Sequence, residues 1–107
     1  MARTRRVRND RNHILYLLEN VETGDTYVGV SAVIGQAIKR TLDVRFRRHL
    51  SRACTEGKRW TLHRALRKYP DAAFWQKTVL EVVRGRKPAH QRERQLIAEY
   101  APTLNTF

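Results

Sequence analysis

The sequence is poor in several features, and each shortage excludes a class of protein. The single cysteine, Cys54, can form no internal disulfide and has no partner for a cysteine-type zinc site, which fits a reducing cytoplasm. No apolar run approaches the roughly 20 residues that a membrane-spanning helix needs. The first ten residues are too polar for a signal peptide. With 107 residues, the chain has room for one domain with a modest core.

Acidic residues are also scarce, and the basic excess indicates a polyanionic partner. Twenty-two Lys and Arg against ten Asp and Glu give a net charge of +12. Most of the basic residues are arginines, which bind phosphate through two parallel hydrogen bonds. Nucleic acid is the first candidate partner and an anionic membrane surface the second.

Residues 1–12 are predicted to form a flexible basic arm. The arm has almost no apolar side chain, so it either clamps phosphates without regard to sequence or only improves solubility. Its predicted DNA-binding residues are Arg3, Arg5, Arg6, Arg8 and Arg11.

Two short segments then have the composition of β-strands. Residues 14–18 form a nearly unbroken apolar run, as expected of a strand covered on both faces, and residues 26–30 are β-branched and aromatic. The turn between them predicts an antiparallel hairpin with a loop over residues 21–24.

This register places two tyrosines on one face of the hairpin. Tyr16 is opposite Gly29 and Leu18 is opposite Tyr27, and directly opposed side chains share a face. The two phenols are then diagonal neighbours within about 7–8 Å. Gly29 is expected to leave open space where a substrate backbone could approach.

The hydrophobic period becomes helical after residue 32. Residues 42–53 form an amphipathic helix, in which Arg45 and His49 border the apolar stripe and are directed at the seam between helix and sheet. The stripe consists of Leu42, Phe46, Leu50 and Ala53. Two further arginines of this helix, Arg48 and Arg52, are predicted to bind DNA.

The rest of the chain predicts a helix, a strand and a final helix. The second helix covers residues 61–69, the third strand residues 73–83, and Pro88 opens the last helix. On that last helix an apolar face formed by Ile97 and Tyr100 also includes Glu93. A glutamate on an apolar face is unexpected, because an unpaired buried charge is costly.

In order and spacing, these segments resemble the GIY-YIG endonucleases. "ILY" at residues 14–16 stands where GIY does, and "YVG" at residues 27–29 stands for YIG. "RFRRH" at residues 45–49 is similar to the family's Arg-x-x-x-His helix. The closing segment is similar to the family's last helix, which carries a glutamate (here Glu93) and is followed by an asparagine (here Asn105).

The resemblance implies an α+β fold over residues 13–107, with a central three-stranded antiparallel β-sheet flanked by helices. It also implies metal-dependent hydrolysis of phosphodiester bonds in double-stranded DNA, as a nick or a double-strand cut. One divalent ion, Mg²⁺ or Mn²⁺, would be held by Glu93, since Mg²⁺ takes only one or two protein carboxylates. We expect a cytoplasmic protein of a prokaryotic or phage-infected cell, encoded by a phage or mobile element. It would act as a monomer or a weak, substrate-induced homodimer.

The resemblance and the chemistry of phosphodiester cleavage assign roles to five more side chains. Tyr16 is expected to act as general base or to orient the attacking water, with Tyr27 and His49 helping to move the proton. A free tyrosine has a pKa of about 10, so nearby cations are expected to lower it. Arg45 would brace the scissile phosphate. Asn105 would orient a phosphate oxygen or a catalytic side chain.

Two departures from the family pattern and two alternatives accompany this interpretation. Ile14 replaces the first family glycine, and Asp25 stands where the family often has a lysine or arginine, so that any role of that cation is absent or supplied elsewhere. One alternative is a basic nucleic-acid-binding module that kept the fold without catalysis, and another is a protein of a ribonucleoprotein. Remaining residues have structural interpretations: His63 and His90 are expected at the surface, and Trp60 and Trp75 in core or groove packing.

Overall fold

The computed structural model describes residues 11–33, 35, 37–56 and 61–105. The elements are β1 (Asn12–Asn20), β2 (Thr26–Ala32), α1 (Ile38–Glu56), α2 (Thr61–Lys68), β3 (Trp75–Arg84) and α3 (Arg86–Tyr100). The strands form one antiparallel sheet in the order β2-β1-β3. The predicted α+β class and the central three-stranded antiparallel sheet are therefore confirmed.

The hairpin of β1 and β2 has the predicted register. Tyr16 pairs with Gly29 and Leu18 with Tyr27, and the Asn20 amide donates to the Asp25 carbonyl at 2.9 Å to close the turn. β1 is the middle strand of a sheet with helices on both sides, so both of its faces are covered. This explains the nearly unbroken apolar run in its sequence.

The helices cover the two faces of the sheet in separate layers. α1 and α2 pack on the face that carries Tyr16 and Leu18, around a core that includes Phe46 and Leu66. α3 packs on the opposite face, where Leu96 meets the other side chains of β1 and β2. The side chains on the α3 side are Leu15, Leu17, Val28 and Val30.

The outer edge of β2 is covered by the C-terminal segment. The Leu104 amide donates to the Thr26 carbonyl at 2.8 Å, and the Thr26 amide donates to Thr103 Oγ1 at 3.1 Å. Asn105 continues this pairing with its side chain on Val28. The exposed edge of the sheet is thereby paired, which protects it from other strands.

The last helix differs in detail from its prediction. It begins at Arg86, so Pro88 is its third residue and still lies in the first turn. Its buried side chains are Ala89 and Leu96, whereas Tyr100, predicted on the inner face, is 47% exposed. Leu96 and Ile97 both pack against the sheet, whereas Tyr100 lies outside this cluster.

The expectation for Trp75 is confirmed, and the expectation for His63 is wrong. Trp75 is buried in the core, and its Nε1 donates to the Tyr69 carbonyl at 2.9 Å. The expectation that His63 lies at the surface is wrong: the side chain is 1% exposed. Its position next to Leu62 and three residues before Leu66 places it on the inner side of α2. Trp60 lies outside the described residues.

The N-terminal arginines of the predicted arm, Arg3, Arg5, Arg6 and Arg8, lie outside the described residues. Arg11 is described and takes part in the fold: its guanidinium donates to the Val33 carbonyl at 2.9 Å, and its own carbonyl accepts from the Gly85 amide at 2.9 Å. β1 begins at the next residue, Asn12. Within the described part of the chain, no helix has the length and apolarity to cross a bilayer.

Candidate active site

A buried tyrosine and histidine form the inner part of the candidate site. Tyr16 of β1 is 1% exposed, and its Oη lies 2.8 Å from Nε2 of His49 on α1. Burial, and after it the positive charge of Arg45, lower the pKa of His49 to about 3. The imidazole is therefore neutral at physiological pH and has one nitrogen free to accept a hydrogen bond.

The pKa of Tyr16 is raised, not lowered. Burial is the largest cause and the neighbouring phenol of Tyr27 the second; the guanidinium of Arg45 acts in the opposite direction and does not compensate. The expectation that nearby cations lower this pKa is wrong. Removing the phenolate from water costs more free energy than its attraction to one arginine offsets. Tyr16 is thus a protonated phenol inside the protein, behind the surface that a substrate could touch.

Gly29 is required by the Tyr16 ring. A Cβ built on Gly29 would lie 2.5 Å from both Cζ and Oη of Tyr16 and 2.8 Å from Cε1 of Tyr27. The open space predicted above Gly29 is therefore filled by the phenol of its cross-strand partner. The glycine lets the ring lie against β2, where its hydroxyl reaches His49.

Tyr27 is the phenol that faces outward. Its ring lies 6.3 Å from the Tyr16 ring and 5.6 Å, edge-on, from the His49 ring, measured between centroids. Burial raises the pKa of Tyr27, and the carboxylate of Glu93 raises it further. The hydroxyl therefore stays protonated and can donate a hydrogen bond to an anion.

The outer part of the site is a cleft of about 260 Å³ at the outer edge of β2, which we call the site cleft. Five of the six predicted catalytic residues line it, and Tyr16 lies behind them. These five are Tyr27, Arg45, His49, Glu93 and Asn105; Arg52, Leu62, His63, Ile97 and Leu104 complete the wall. Residues distant in the sequence thus meet in one concavity.

Glu93 reaches this cleft from the other side of the sheet. α3 packs on the face opposite the two phenols, but Glu93 lies where the helix passes the edge of β2, and its side chain lines the same cleft as Tyr27. The side chain is 20% exposed. Burial raises the pKa of Glu93, and His90, whose Nδ1 lies 3.7 Å from Oε1, partly offsets this.

Arg45 is partly buried beside the phenols. It lines the site cleft, and its Nε is buried without a hydrogen-bond partner among the described residues. A guanidinium has five N–H donors and no acceptor. A guanidinium next to a half-buried carboxylate and two phenols suits an incoming anion such as a phosphate.

The side-chain amide of Asn105 is hydrogen-bonded to the backbone of β2. Its Oδ1 accepts from the Val28 amide and its Nδ2 donates to the Val28 carbonyl, both at 2.8 Å. The side chain replaces a missing strand beside β2, one residue from Tyr27. The geometry makes Asn105 a positioning residue that holds the C-terminal wall of the cleft.

Sequence reasoning did not find His63. This side chain lines the cleft from α2, and its charged form would lower the pKa of His49. The signal was present, since a residue between Leu62 and Leu66 on an amphipathic helix shares their side. Of the predicted DNA-binding arginines, Arg52 lines the site cleft, whereas Arg11 and Arg48 line a neighbouring one.

The cleft offers limited means of holding a metal. No group of three or more His, Cys, Asp or Glu side chains within the described ranges could bind one, so any ion would have Glu93 as its carboxylate ligand. That donor set suits Mg²⁺, which keeps several waters and takes further oxygens from a substrate phosphate. A half-buried carboxylate with a raised pKa would also gain from a nearby cation.

Comparisons with known proteins support the fold. No protein-family model matches the sequence, and no curated protein matches it. Among solved structures, the catalytic domain of the homing endonuclease I-TevI is similar, with a TM-score of 0.64 and 18% identity over 89% of this chain and 95% of that one. The chain therefore has the fold of a GIY-YIG endonuclease catalytic domain.

Proposed function

We propose that the protein is a metal-dependent endonuclease that hydrolyses phosphodiester bonds in double-stranded DNA. The observation that carries this proposal is the placement of the Glu93 carboxylate, from one side of the sheet, in the same cleft as Tyr27 and Arg45, from the other. A carboxylate for a cation and a guanidinium for a phosphate are the two charges that this reaction needs at one point. The net charge of +12 supports a nucleic acid as substrate.

Three residues of the site cleft have separate roles in this reaction. Arg45, which lines the cleft, holds the scissile phosphate with its guanidinium. Glu93 would hold the divalent ion, Mg²⁺ or Mn²⁺, which when bound would supply positive charge to the phosphoryl oxygens. Tyr27, at the cleft wall, orients the attacking water with its hydroxyl.

His49 is the group that takes the water's proton, at Nδ1, in the tautomer in which its Nε2–H donates to the Tyr16 oxygen. In the free protein, burial and then the charge of Arg45 depress the pKa of His49. A phosphate bound to Arg45 would offset the second of these causes, so the imidazole becomes more basic when the substrate is present. Tyr16 holds the His49 ring from behind through the contact at 2.8 Å.

The best test is plasmid cleavage by the wild-type protein and by Glu93→Gln, with Mg²⁺, Mn²⁺ or EDTA. We expect metal-dependent nicking that falls at least about a hundredfold in Glu93→Gln, because a lost metal interaction is worth several kcal/mol. Glu99→Gln is the matched control, an exposed glutamate of the same helix. Filter retention of DNA should be equal in all three proteins.

A different outcome would favour the alternative of a binding module without catalysis. Equal DNA retention with no cleavage under any metal condition would support that alternative. Preference for structured RNA, with no effect of Glu93→Gln, would support a ribonucleoprotein component. The likeness to a homing endonuclease domain favours a phage or mobile-element origin if cleavage is observed.

A further inference from the structure

A second cleft lies beside the site cleft and is lined by three arginines. It lies between α1 and the C-terminal end of β2, has a volume of about 230 Å³, and we call it the arginine cleft. Its cations are Arg11, Arg45 and Arg48, and the hydroxyl-bearing Ser31 and Thr41 also line it. The described residues of its wall include no carboxylate.

The charges of the arginine cleft call for an anion. Three guanidinium groups around one concavity repel each other, and the cost falls when an anion enters. Arg11 is held in place by its hydrogen bond to the Val33 carbonyl. Arg45 adds a buried Nε with no partner among the described residues. Fixed guanidinium forks match the oxygens of a phosphate group.

The arginine cleft and the site cleft are neighbours along β2. Ser31 lines the arginine cleft and Tyr27 the site cleft, and four strand residues span about 13 Å. Arg45 lines both clefts, so they are adjacent. Phosphates of one DNA strand recur every 3.4 Å along the helix axis, so one strand can place phosphates in both.

A third cleft at the opposite end of β2 is a weaker candidate for an anion. It lies beside the hairpin turn, where Asp25 adds a carboxylate to the two cations Arg64 and Lys68. Its net charge of one compares with three for the arginine cleft. From the C-terminal to the N-terminal end of β2, the three clefts follow in the order arginine cleft, site cleft and hairpin-turn cleft.

We propose that the arginine cleft is a subsite for one backbone phosphate of the cleaved strand, on a single side of the scissile phosphate. The subsite rests on the proposed function and deepens it, because it fixes the direction in which the strand crosses the protein. Arg48 and Arg11 bind this flanking phosphate, and Arg45 lies between it and the scissile one.

The test uses DNA duplexes of one sequence, each with a single uncharged methylphosphonate at a different position around a mapped cleavage point. With the wild-type protein, we expect the single-turnover rate to fall about ten- to hundredfold at one flanking position, as for a lost charge-assisted hydrogen bond. Arg48→Ala should lower the rate on unmodified DNA by a similar factor. The methylphosphonate at that position should then have no further effect on Arg48→Ala.

Two variants serve as controls for charge. Arg47→Ala removes the same charge from the next residue, which is exposed and lines none of the three clefts. Arg64→Ala removes a charge at the other end of β2. Both should keep the full methylphosphonate effect at the Arg48 position. A full effect retained in Arg48→Ala, or its loss in either control, would overturn the subsite.

Binding provides a readout that does not depend on cleavage. Arg48→Ala should reduce the slope of log affinity against log salt by about one, since one phosphate contact is lost, and Arg47→Ala should leave it unchanged. Equal slopes for both variants would contradict the subsite even in a protein that cleaves. Absence of cleavage with the expected difference in slope would instead reject the nuclease and keep the phosphate site.

Discussion

The two faces of the sheet are built from the same three strands and yet differ in chemistry. The α3 face is closed by aliphatic side chains such as Leu15, Val28 and Leu96. The α1 and α2 face buries Tyr16, His49 and His63 among its apolar residues. Buried polar groups cost free energy unless they are paired. One face therefore serves stability, whereas the other gives up some stability to hold the site.

The largest effect on stability is expected on the aliphatic face. Leu15 is fully buried, and Leu15→Ala should lower the free energy of unfolding by about 2–5 kcal/mol through lost burial and a cavity. Urea denaturation measures this. Activity per folded molecule should be unchanged, since Leu15 points away from the cleft. Leu17→Ala, a half-buried neighbour on the same face, should show a smaller loss of stability.

A smaller loss of stability, with loss of activity, is expected at Gly29. Gly29→Ala brings a methyl group within 2.5 Å of the Tyr16 ring, and overpacking of this kind costs about 1–3 kcal/mol. The ring must move, so its contact with His49 is lost. Val30→Ala, on the next residue and the other face, is the control. Full cleavage by folded Gly29→Ala would argue against the role of the Tyr16–His49 pair.

The two phenols should respond differently to loss of the hydroxyl. Tyr16→Phe leaves His49 without its buried partner and should cost about 1–3 kcal/mol of stability. Tyr27→Phe should leave the urea midpoint nearly unchanged and reduce the rate of cleavage, because that hydroxyl lines the cleft. Equal stability losses in the two variants would remove the distinction between an inner and an outer phenol.

The last effect depends on pH and is expected from His49, with no loss of stability at neutral pH. The pKa of His49 is about 3 in the folded protein, against an ordinary value of 6.5. Between these two pH values only the unfolded chain binds the proton. The contribution of His49 to the free energy of unfolding is fully present above pH 6.5. On acidification below that pH it falls by about 1.4 kcal/mol per pH unit. His49→Gln should lose this part of the pH dependence. An identical pH profile for both proteins would show that the imidazole is not held neutral.

Much of the hairpin could be predicted from the sequence because strand geometry is local. The pairing of Tyr16 with Gly29 follows from a four-residue loop and the two-residue period of a strand. The amphipathic stripe of α1 likewise depends only on the helical period. Grouping Tyr27, Arg45, His49, Glu93 and Asn105 required the family resemblance, since no local rule relates residues so far apart.

The properties of these side chains could not be predicted in the same way. Whether Tyr16 faces water or the core depends on α1, which lies over it, and this decides the sign of its pKa shift. The space above Gly29 depends on the ring of its partner. Whether Asn105 contacts a substrate or Val28 depends on where the C-terminal segment meets the edge of β2.

The excess of positive charge, the order of the elements and the register of the hairpin follow from the sequence alone, because charge is additive and strand and helix periods act over a few residues. Tertiary packing is needed to bring Glu93, on a helix at the far face, around the edge of β2 into the cleft of Tyr27 and Arg45. The same packing buries the Tyr16 phenol against His49. Burial and long-range proximity arise when all layers pack together, so they cannot be assigned to any single segment.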